Sequence, residues 1–187
     1  MGSDPRVVVI GAGMSGILCG IRLREAGISD FVIYEKGDDL GGTWRDNRYP
    51  GLACDVPSHV YSYSFAPNPE WSQRFSPGPE IHAYLQHTAA RFGVTESIQC
   101  GREITAANYR DGRWHLELAD GATDVADFVI AATGVLHHPR MPDFAGIEDF
   151  DGAAFHSARW DESVSLDGKR VGVVGTGSTA VQIVAAV

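Results

Sequence analysis

Cysteine is scarce in this chain, and each one stands alone. Cys19, Cys54 and Cys100 are far apart and form no C-x-x-C pair. That spacing argues against a disulfide framework or a dithiol redox centre and fits a reduced cytoplasmic setting. Positive charge is also short. Fifteen Lys and Arg stand against 24 Asp and Glu, a net charge of −9. No basic cluster is present, which argues against nucleic acid as a partner. No apolar run approaches the ~18–20 residues that cross a membrane. The first residues lack the charged and apolar regions of a secretory signal. Met1-Gly-Ser3 reads as a native start or a vector-derived one. No spacing of ligand residues calls for a metal. What remains is an ordinary globular composition, with 187 residues and 44% hydrophobic. That is enough for one domain of ~100–150 residues and part of another.

The most informative stretch opens the chain. Arg6-Val-Val-Val-Ile10 is a short β-branched apolar run and reads as a buried strand. Gly11-Ala-Gly13-Met-Ser15-Gly16 follows, then a helical stretch from Ile17 to Glu25 with Gly27 as its stop. Phe31-Val-Ile-Tyr34 is a second strand ending in Glu35. This is G-x-G-x-x-G in the strand–turn–helix–strand setting that a dinucleotide needs. Gly11 permits the tight turn, Gly13 a close approach to a pyrophosphate, and Gly16 close helix–strand packing. The helix N-terminus offers free N–H groups and partial positive charge to an anion. Glu35 lies nineteen residues beyond Gly16, near the ~20 expected of a ribose-binding carboxylate. Its charge would repel a 2′-phosphate, so this first site favours FAD or NAD over NADP.

Further along, Gly41-Gly42-Thr43-Trp44 reads as a loop able to pass close to a ligand, or as a surface loop with one packed Trp. Tyr49-Pro50-Gly51 is a turn signal. Asp55 sits among Cys54, Val56 and Pro57, which suggests partial burial; it reads as a partnered carboxylate or an ordinary turn residue. Tyr61 to Phe65 alternates and reads as a short extended piece, and Ala66 to Pro79 as an ordered irregular loop. Pro79 to Phe92 is an amphipathic helix with apolar residues at i, i+3, i+4, i+8 and i+11 from Ile81, stopped by Gly93. His82 and His87 read as solvated helix residues rather than ligands. Ile104–Tyr109, Asp111-Gly112 and Trp114–Leu118 form a hairpin. Asp120-Gly121 and a strand over Thr123–Ala126 complete a small meander. Asp127 to Gly134 reads as a buried strand closing the first sheet beside a cofactor, ending in Thr133 and Gly134.

Residues 135–166 are broken by Pro139, Pro142 and Gly146 and read as a connector. Val171-Gly-Val-Val174 then repeats the opening strand. Gly175-Thr176-Gly177-Ser178-Thr179-Ala180 repeats the phosphate turn with Ala in the third glycine position, and Val181 to Val187 starts a helix. A strand this apolar needs cover on both faces. The expectation is therefore the N-terminal piece of a longer protein with two dinucleotide-binding domains. Its divisions would be an FAD-binding domain with the meander (1–136), a linker (137–168) and the start of an NADP-binding domain (169–187). The fold class expected is α/β, Rossmann-like, with a small antiparallel meander.

These residues resemble the Baeyer–Villiger monooxygenases, among the class B flavoprotein monooxygenases. Both dinucleotide turns stand in that family's order. Gly41-Gly-Thr-Trp44-x4-Tyr49-Pro-Gly51-x3-Asp55 is similar to its first long signature. Phe150-x-Gly152-x3-His156-x3-Trp160-Asp161 is similar to its second, with Asp161 where many members have proline. The related flavin-containing monooxygenases usually carry a different aromatic in place of Trp160. The resemblance implies that Gly11, Gly13, Ser15 and Gly16 cradle the FAD pyrophosphate and that Glu35, with Lys36 beside it, holds the adenosine ribose. Gly42, Thr43, Trp44 and Tyr61 would line the flavin, Ile104 would lie near the adenine, and Thr133 and Gly134 would close the site. Asp55 would have the catalytic role, orienting an arginine supplied from beyond Val187. Thr176, Gly177, Ser178, Thr179, Ala180 and Gln182 would receive NADPH. His156 and Trp160 would couple nicotinamide binding to domain motion. The implied reaction is FAD reduction by NADPH, formation of a flavin C4a-peroxide with O2, and insertion of one oxygen beside a ketone carbonyl. The alternatives are oxygenation of a sulfide or amine, or a silent FAD-binding piece.

Overall fold

The computed structural model describes residues 4–187; Met1-Gly-Ser3, the native or vector-derived start, lies outside them. Two compact units account for the chain.

The first unit comprises Met1–Thr43 with His82–Val135. Strand β1 (Val7–Ile10) leads through a glycine turn into helix α1 (Met14–Glu25), which returns to β2 (Phe31–Tyr34). After β2, the Gly41-Gly42 loop winds into one helical turn, α2 (Thr43–Asp46), where only a loop is expected from sequence. Helix α3 (Gly78–Arg91) follows, ended by Gly93 in the left-handed region at φ 67°. Next come β3 (Ile98–Gln99), β4 (Ile104–Arg110), β5 (Arg113–Leu118), β6 (Thr123–Ala126) and β7 (Phe128–Ala131).

The parallel sheet has the order β3-β2-β1-β7, with Val7 opposite Phe31 on one side and Phe128 on the other. The three consecutive valines of β1 are buried because this central strand is covered on both faces. Gly20 of α1 faces Phe31, Ile33 and Val94; a Cβ there would lie 2.6 Å from Val94 and 2.8 Å from Ile33. On the other face, Val8, Val32 and Tyr34 pack against Leu116, Leu118 and Ala126 of the meander. The β4–β5 turn carries φ 54° at Asp111 and 79° at Gly112. Two successive positive φ angles match the right-handed twist of the flanking strands, which is why Asp-Gly marks this hairpin.

One feature corrects the expectations. β7 does close the sheet, but as an edge strand rather than a buried one, so Phe128 stays 58% exposed. β3, two residues long, gives no readable periodicity; Ile33 and Tyr34 pair with it directly.

A polar knot ties the chain entry to the sheet and the meander. Arg6 pairs with Asp30 and Asp124 at 2.7 Å each, and the Tyr34 hydroxyl donates to Asp124 at 2.9 Å. Burial pushes the Asp124 carboxyl up, but the bonds from Arg6 and Tyr34 outweigh it and hold the group below the usual carboxylate range. Burial and the bond to Asp124 raise the Tyr34 phenol.

The second unit comprises Trp44–Ile81 with Leu136–Val187. Besides most of α2 and the first turn of α3, its regular structure is chiefly helix α4 (Ser178–Ala186). Residues 52–58 run beside 74–78. Cys54 N–H donates to Ser76 O, Ser58 N–H to Arg74 O and Gly78 N–H to Leu52 O, all within 2.9 Å. Tyr61 to Phe65 is a series of turns, not an extended piece. Ala66 N–H folds back to Tyr63 O, and the Ser62 hydroxyl to Ser58 O. Tyr63 and Ala66 are the buried residues of this turn. The Ser72 hydroxyl and N–H both donate to Glu80, which holds that carboxyl below its ordinary range.

Residues 171–174 form no strand. A strand exists only through a neighbour's backbone groups, and among the described residues no segment pairs with them. Val171 and Val174 are exposed.

Candidate functional site: a glycine-lined cradle and a second phosphate turn

In the first unit, the β1–α1 turn is built by glycine at each point the sequence indicates. Gly11 has φ 100°, and a Cβ there would fall 2.7 Å from Ala132 O. A Cβ on Gly16 would fall 1.8 Å from Gly11 O, so only glycine lets α1 start this close to β1. Gly13 and Gly42 face each other: a Cβ on Gly42 would lie 3.1 Å from Gly13 Cα. Gly41 N–H donates to Ala12 O at 2.9 Å and pins that approach. Helix α1 begins at Gly13 with no side-chain cap and no acidic residue in its first turn. Its leading N–H groups and positive dipole end therefore suit an anion. Ser15, in that first turn, is exposed.

Glu35 is buried at the end of β2, 4% exposed. Ala12 N–H donates to one carboxylate oxygen and Gly37 N–H to the other, each at 2.8 Å. A buried carboxylate requires such donors. Each oxygen has two lone pairs, so the group can also accept from a diol. Lys36 beside it is exposed. Ile104 is half-buried at the start of β4, and Thr133 and Gly134, just past β7, are exposed. Thr43, also exposed, ends this unit. The residues suit a dinucleotide's phosphates: at Gly11 and Gly42 the chain's own backbone excludes a side chain, and at Gly13 a Cβ would meet nothing nearer than Gly42 Cα, at 3.7 Å.

His82 departs from the solvated reading. Its Nε2 lies 2.8 Å from Leu40 O and 3.3 Å from an Asp39 carboxylate oxygen. A carbonyl only accepts, so Nε2 carries the proton. The ring latches α3 to the loop that leads into Gly42. His87 is exposed.

In the second unit, the Trp44 indole N–H donates to the Tyr61 hydroxyl at 3.1 Å, with the rings edge-on and 5.6 Å apart. Asp55 is exposed, not partly buried; its neighbour Cys54 takes the interior position. Asp55 accepts a 2.7 Å hydrogen bond from the Ser178 hydroxyl. The second phosphate turn leads into α4, again through an uncapped glycine, Gly177. Thr176 and Gly177 are exposed and Ala180 is half-buried. The Thr179 hydroxyl lies 3.5 Å from the Tyr49 hydroxyl. Gln182 turns its amide to Tyr49 and the Ala53 carbonyl. Tyr49 and Ala53 were missed as parts of this arrangement, because no local pattern announces a bond across about 130 residues.

The remaining signature residues make local contacts. The Phe150 ring folds over Gly152, where a Cβ would lie 2.5 Å from the ring. His156 Nδ1 accepts from Ala158 N–H at 3.0 Å and caps a short 3-10 turn, Ser157–Arg159. Trp160 meets Phe155 edge-on at 5.1 Å. Asp161 accepts from the Ser163 N–H and hydroxyl, which hold its carboxyl below the ordinary range. Among the described residues no cluster of His, Cys, Asp and Glu has metal-site geometry, and no helix is long and apolar enough to cross a membrane.

Residues 4–187 match the flavin-binding monooxygenase-like (FMO-like) family. The chain is 56% identical over 183 residues to an uncharacterized monooxygenase of Mycobacterium tuberculosis, a match covering 98% of this chain and 37% of that protein. It is 50% identical over 181 residues to a Baeyer-Villiger monooxygenase of Streptomyces coelicolor, covering 96% of this chain and 35% of the relative. The crystal structure of OTEMO complexed with FAD and NADP is similar at a TM-score of 0.88 and 38% identity, over 100% of this chain and 37% of that one. The chain thus spans little more than a third of the length of these relatives. On the two phosphate turns, the two long signatures and the match over residues 4–187, the chain belongs to the flavin-binding monooxygenase-like family, with Baeyer-Villiger monooxygenases among its relatives.

Proposed function

We propose that this chain is the FAD-holding portion of an NADPH-dependent Baeyer–Villiger monooxygenase, cytoplasmic and acting on a small-molecule ketone with O2. The observation that carries the reading is the cradle of the first unit. There close backbone packing keeps Gly11 and Gly42 free of side chains, Gly13 leaves the helix start bare and uncapped, and a buried Glu35 waits at the end of the next strand. Pyrophosphate would lie against the N–H groups of α1, near Ser15 and Gly16. Glu35, with Lys36 beside it, would take the adenosine ribose. Ile104, Thr133 and Gly134 would bound the adenine and flavin ends. By family pattern, Thr43, Trp44 and Tyr61 would line the flavin. Residues 176–180 would take the NADPH pyrophosphate.

FAD held by these residues would supply the redox and oxygen-transfer chemistry. The chain's own task is to bind, orient and exclude water. Asp55, free of burial and already accepting from Ser178, suits a carboxylate that positions a cationic group for the reaction. The linker signature, Phe150 to Asp161, would relay nicotinamide binding to movement between dinucleotide sites, with His156 and Trp160 as its ordered parts.

The test is product analysis of the intact flavin-loaded protein with NADPH, a cyclic ketone and labelled O2. A lactone carrying one labelled oxygen is expected. Exclusive sulfoxide or N-oxide formation from a competing sulfide or amine would transfer the assignment to the heteroatom-oxygenating branch. Residues 1–187 by themselves cover about a third of the relatives' length and are expected to oxidise no NADPH.

A further inference from the structure

Gln182 uses both ends of its side chain on one segment. Its Nε2 donates to the Ala53 carbonyl at 2.9 Å, and its Oε1 accepts from the Tyr49 hydroxyl at 3.0 Å. The orientation is unambiguous: the Ala53 carbonyl can only accept, so the amide nitrogen must face it. Between these two anchors, Gly51 packs directly on the helix. A Cβ there would fall 2.6 Å from Gln182 O and 2.9 Å from Ala186 Cβ, and its φ is 77°. One turn earlier on α4, Ser178 donates to Asp55 at 2.7 Å. Alternate residues 49, 51, 53 and 55 therefore all touch one helix, whose leading turn is the second phosphate turn.

We propose that Gln182 is a positioning residue that locks the Tyr49–Asp55 segment to α4, so that a nucleotide phosphate settled on this helix's first turn immobilises Asp55. Gln182 then serves the segment before any phosphate, because one of its two amide N–H groups is committed to Ala53 and its Oε1 to Tyr49. Ser178 completes the link by holding the Asp55 carboxylate at the helix start. The lock itself stands on the geometry; its consequence for Asp55 rests on the reading of residues 176–180 as the NADPH turn.

The test uses hydrogen–deuterium exchange and NADP+ titration on the intact flavin-loaded protein, with Gln182→Leu and Tyr49→Phe. Without NADP+, Gln182→Leu should speed exchange of the Leu52 and Cys54 amides by about tenfold and Tyr49→Phe by about threefold, as the loss of two bonds or one implies. Exchange over Val7–Ile10 should not change. NADP+ should protect residues 49–55 in the parent and no longer do so in Gln182→Leu, while the NADP+ Kd stays within about twofold. Unchanged exchange over 49–55 in both variants overturns the lock. A Kd weakened about tenfold with exchange intact makes Gln182 a direct phosphate ligand and also overturns it. If the parent fails to bind NADP+, the nucleotide reading falls, and the exchange comparison without NADP+ still decides the lock. Should Gln182→Leu not fold, Tyr49→Phe carries the same comparison.

Discussion

The two phosphate turns share a pattern but not a structure. Around the first, two of the three glycines are pressed: Cβ atoms at Gly11 and Gly16 would fall 2.7 Å and 1.8 Å from backbone oxygen, while one at Gly13 would meet only Gly42 Cα, at 3.7 Å. Around the second, Gly175 and Gly177 have nothing within 4 Å of the corresponding positions. The strand before the first turn is buried between two neighbours, whereas residues 171–174 before the second are unpaired, with Val171 and Val174 exposed. The contrast separates two reasons for a glycine. In the first turn, packing inside this chain already demands it. In the second, the only demands visible in the chain are the turn itself, with φ 128° at Gly175, and the space that a ligand would take.

The sharpest way to break this comparison is Gly16→Ala against Ala180→Gly. Gly16→Ala should cost about 3 kcal/mol or more and abolish flavin retention, since backbone must move to admit the methyl. Ala180→Gly, at the matching position of α4, should cost less than about 1 kcal/mol. Chemical denaturation of both variants measures it, and equal costs would erase the distinction.

Next in size is Glu35→Ala. It strips the acceptor from the buried Ala12 N–H and the part-buried Gly37 N–H, a loss of about 2–3 kcal/mol. Flavin content of the purified protein should fall with it. Unimpaired flavin loading would remove Glu35 from the ribose role.

Asp124→Asn sharpens the comparison from the other side, because the Arg6 knot belongs to the well-packed unit. The folded-state pKa of Asp124 is lowered, so its contribution is present above the ordinary carboxylate pKa. It is lost as pH falls through the depressed folded value. The substitution should cost about 2 kcal/mol near neutral pH, in line with a hydrogen-bonded charge. The cost should shrink in acid, and melts recorded across pH will read it.

Smallest is Ser178→Ala, which removes one exposed hydrogen bond to Asp55. Its effect on stability should stay under about 1 kcal/mol. A larger loss in the thermal midpoint would mean that the second turn is more tightly built than its glycines indicate.

What could be read from the chain beforehand was local. The glycine turn, Glu35 at the strand end, the Asp111-Gly112 hairpin and the Gly93 stop each rest on one residue's conformational freedom or on short-range chemistry. What could not be read was relational. Val171–Val174 has a strand's composition, yet a strand needs a partner that composition does not name. β3 is two residues long and exists only through β2. The alternation of Tyr61–Phe65 belongs to a turn that buries Tyr63. Asp55 looked interior from its apolar neighbours, but in fact Cys54 alone turns inward there. The Gln182 amide bonds reach across about 130 residues, beyond any sequence period.

Glu35 carries a further consequence. A backbone N–H group holds each of its two carboxylate oxygens, so its geometry is set when the chain folds rather than when a ligand arrives. A sugar diol approaching it would meet an acceptor with no rotamers left to lose, and the entropic penalty of docking would fall mostly on the incoming molecule. On the proposed ribose role, residue 35 would favour ligands that are themselves stiff at the hydroxyls they offer.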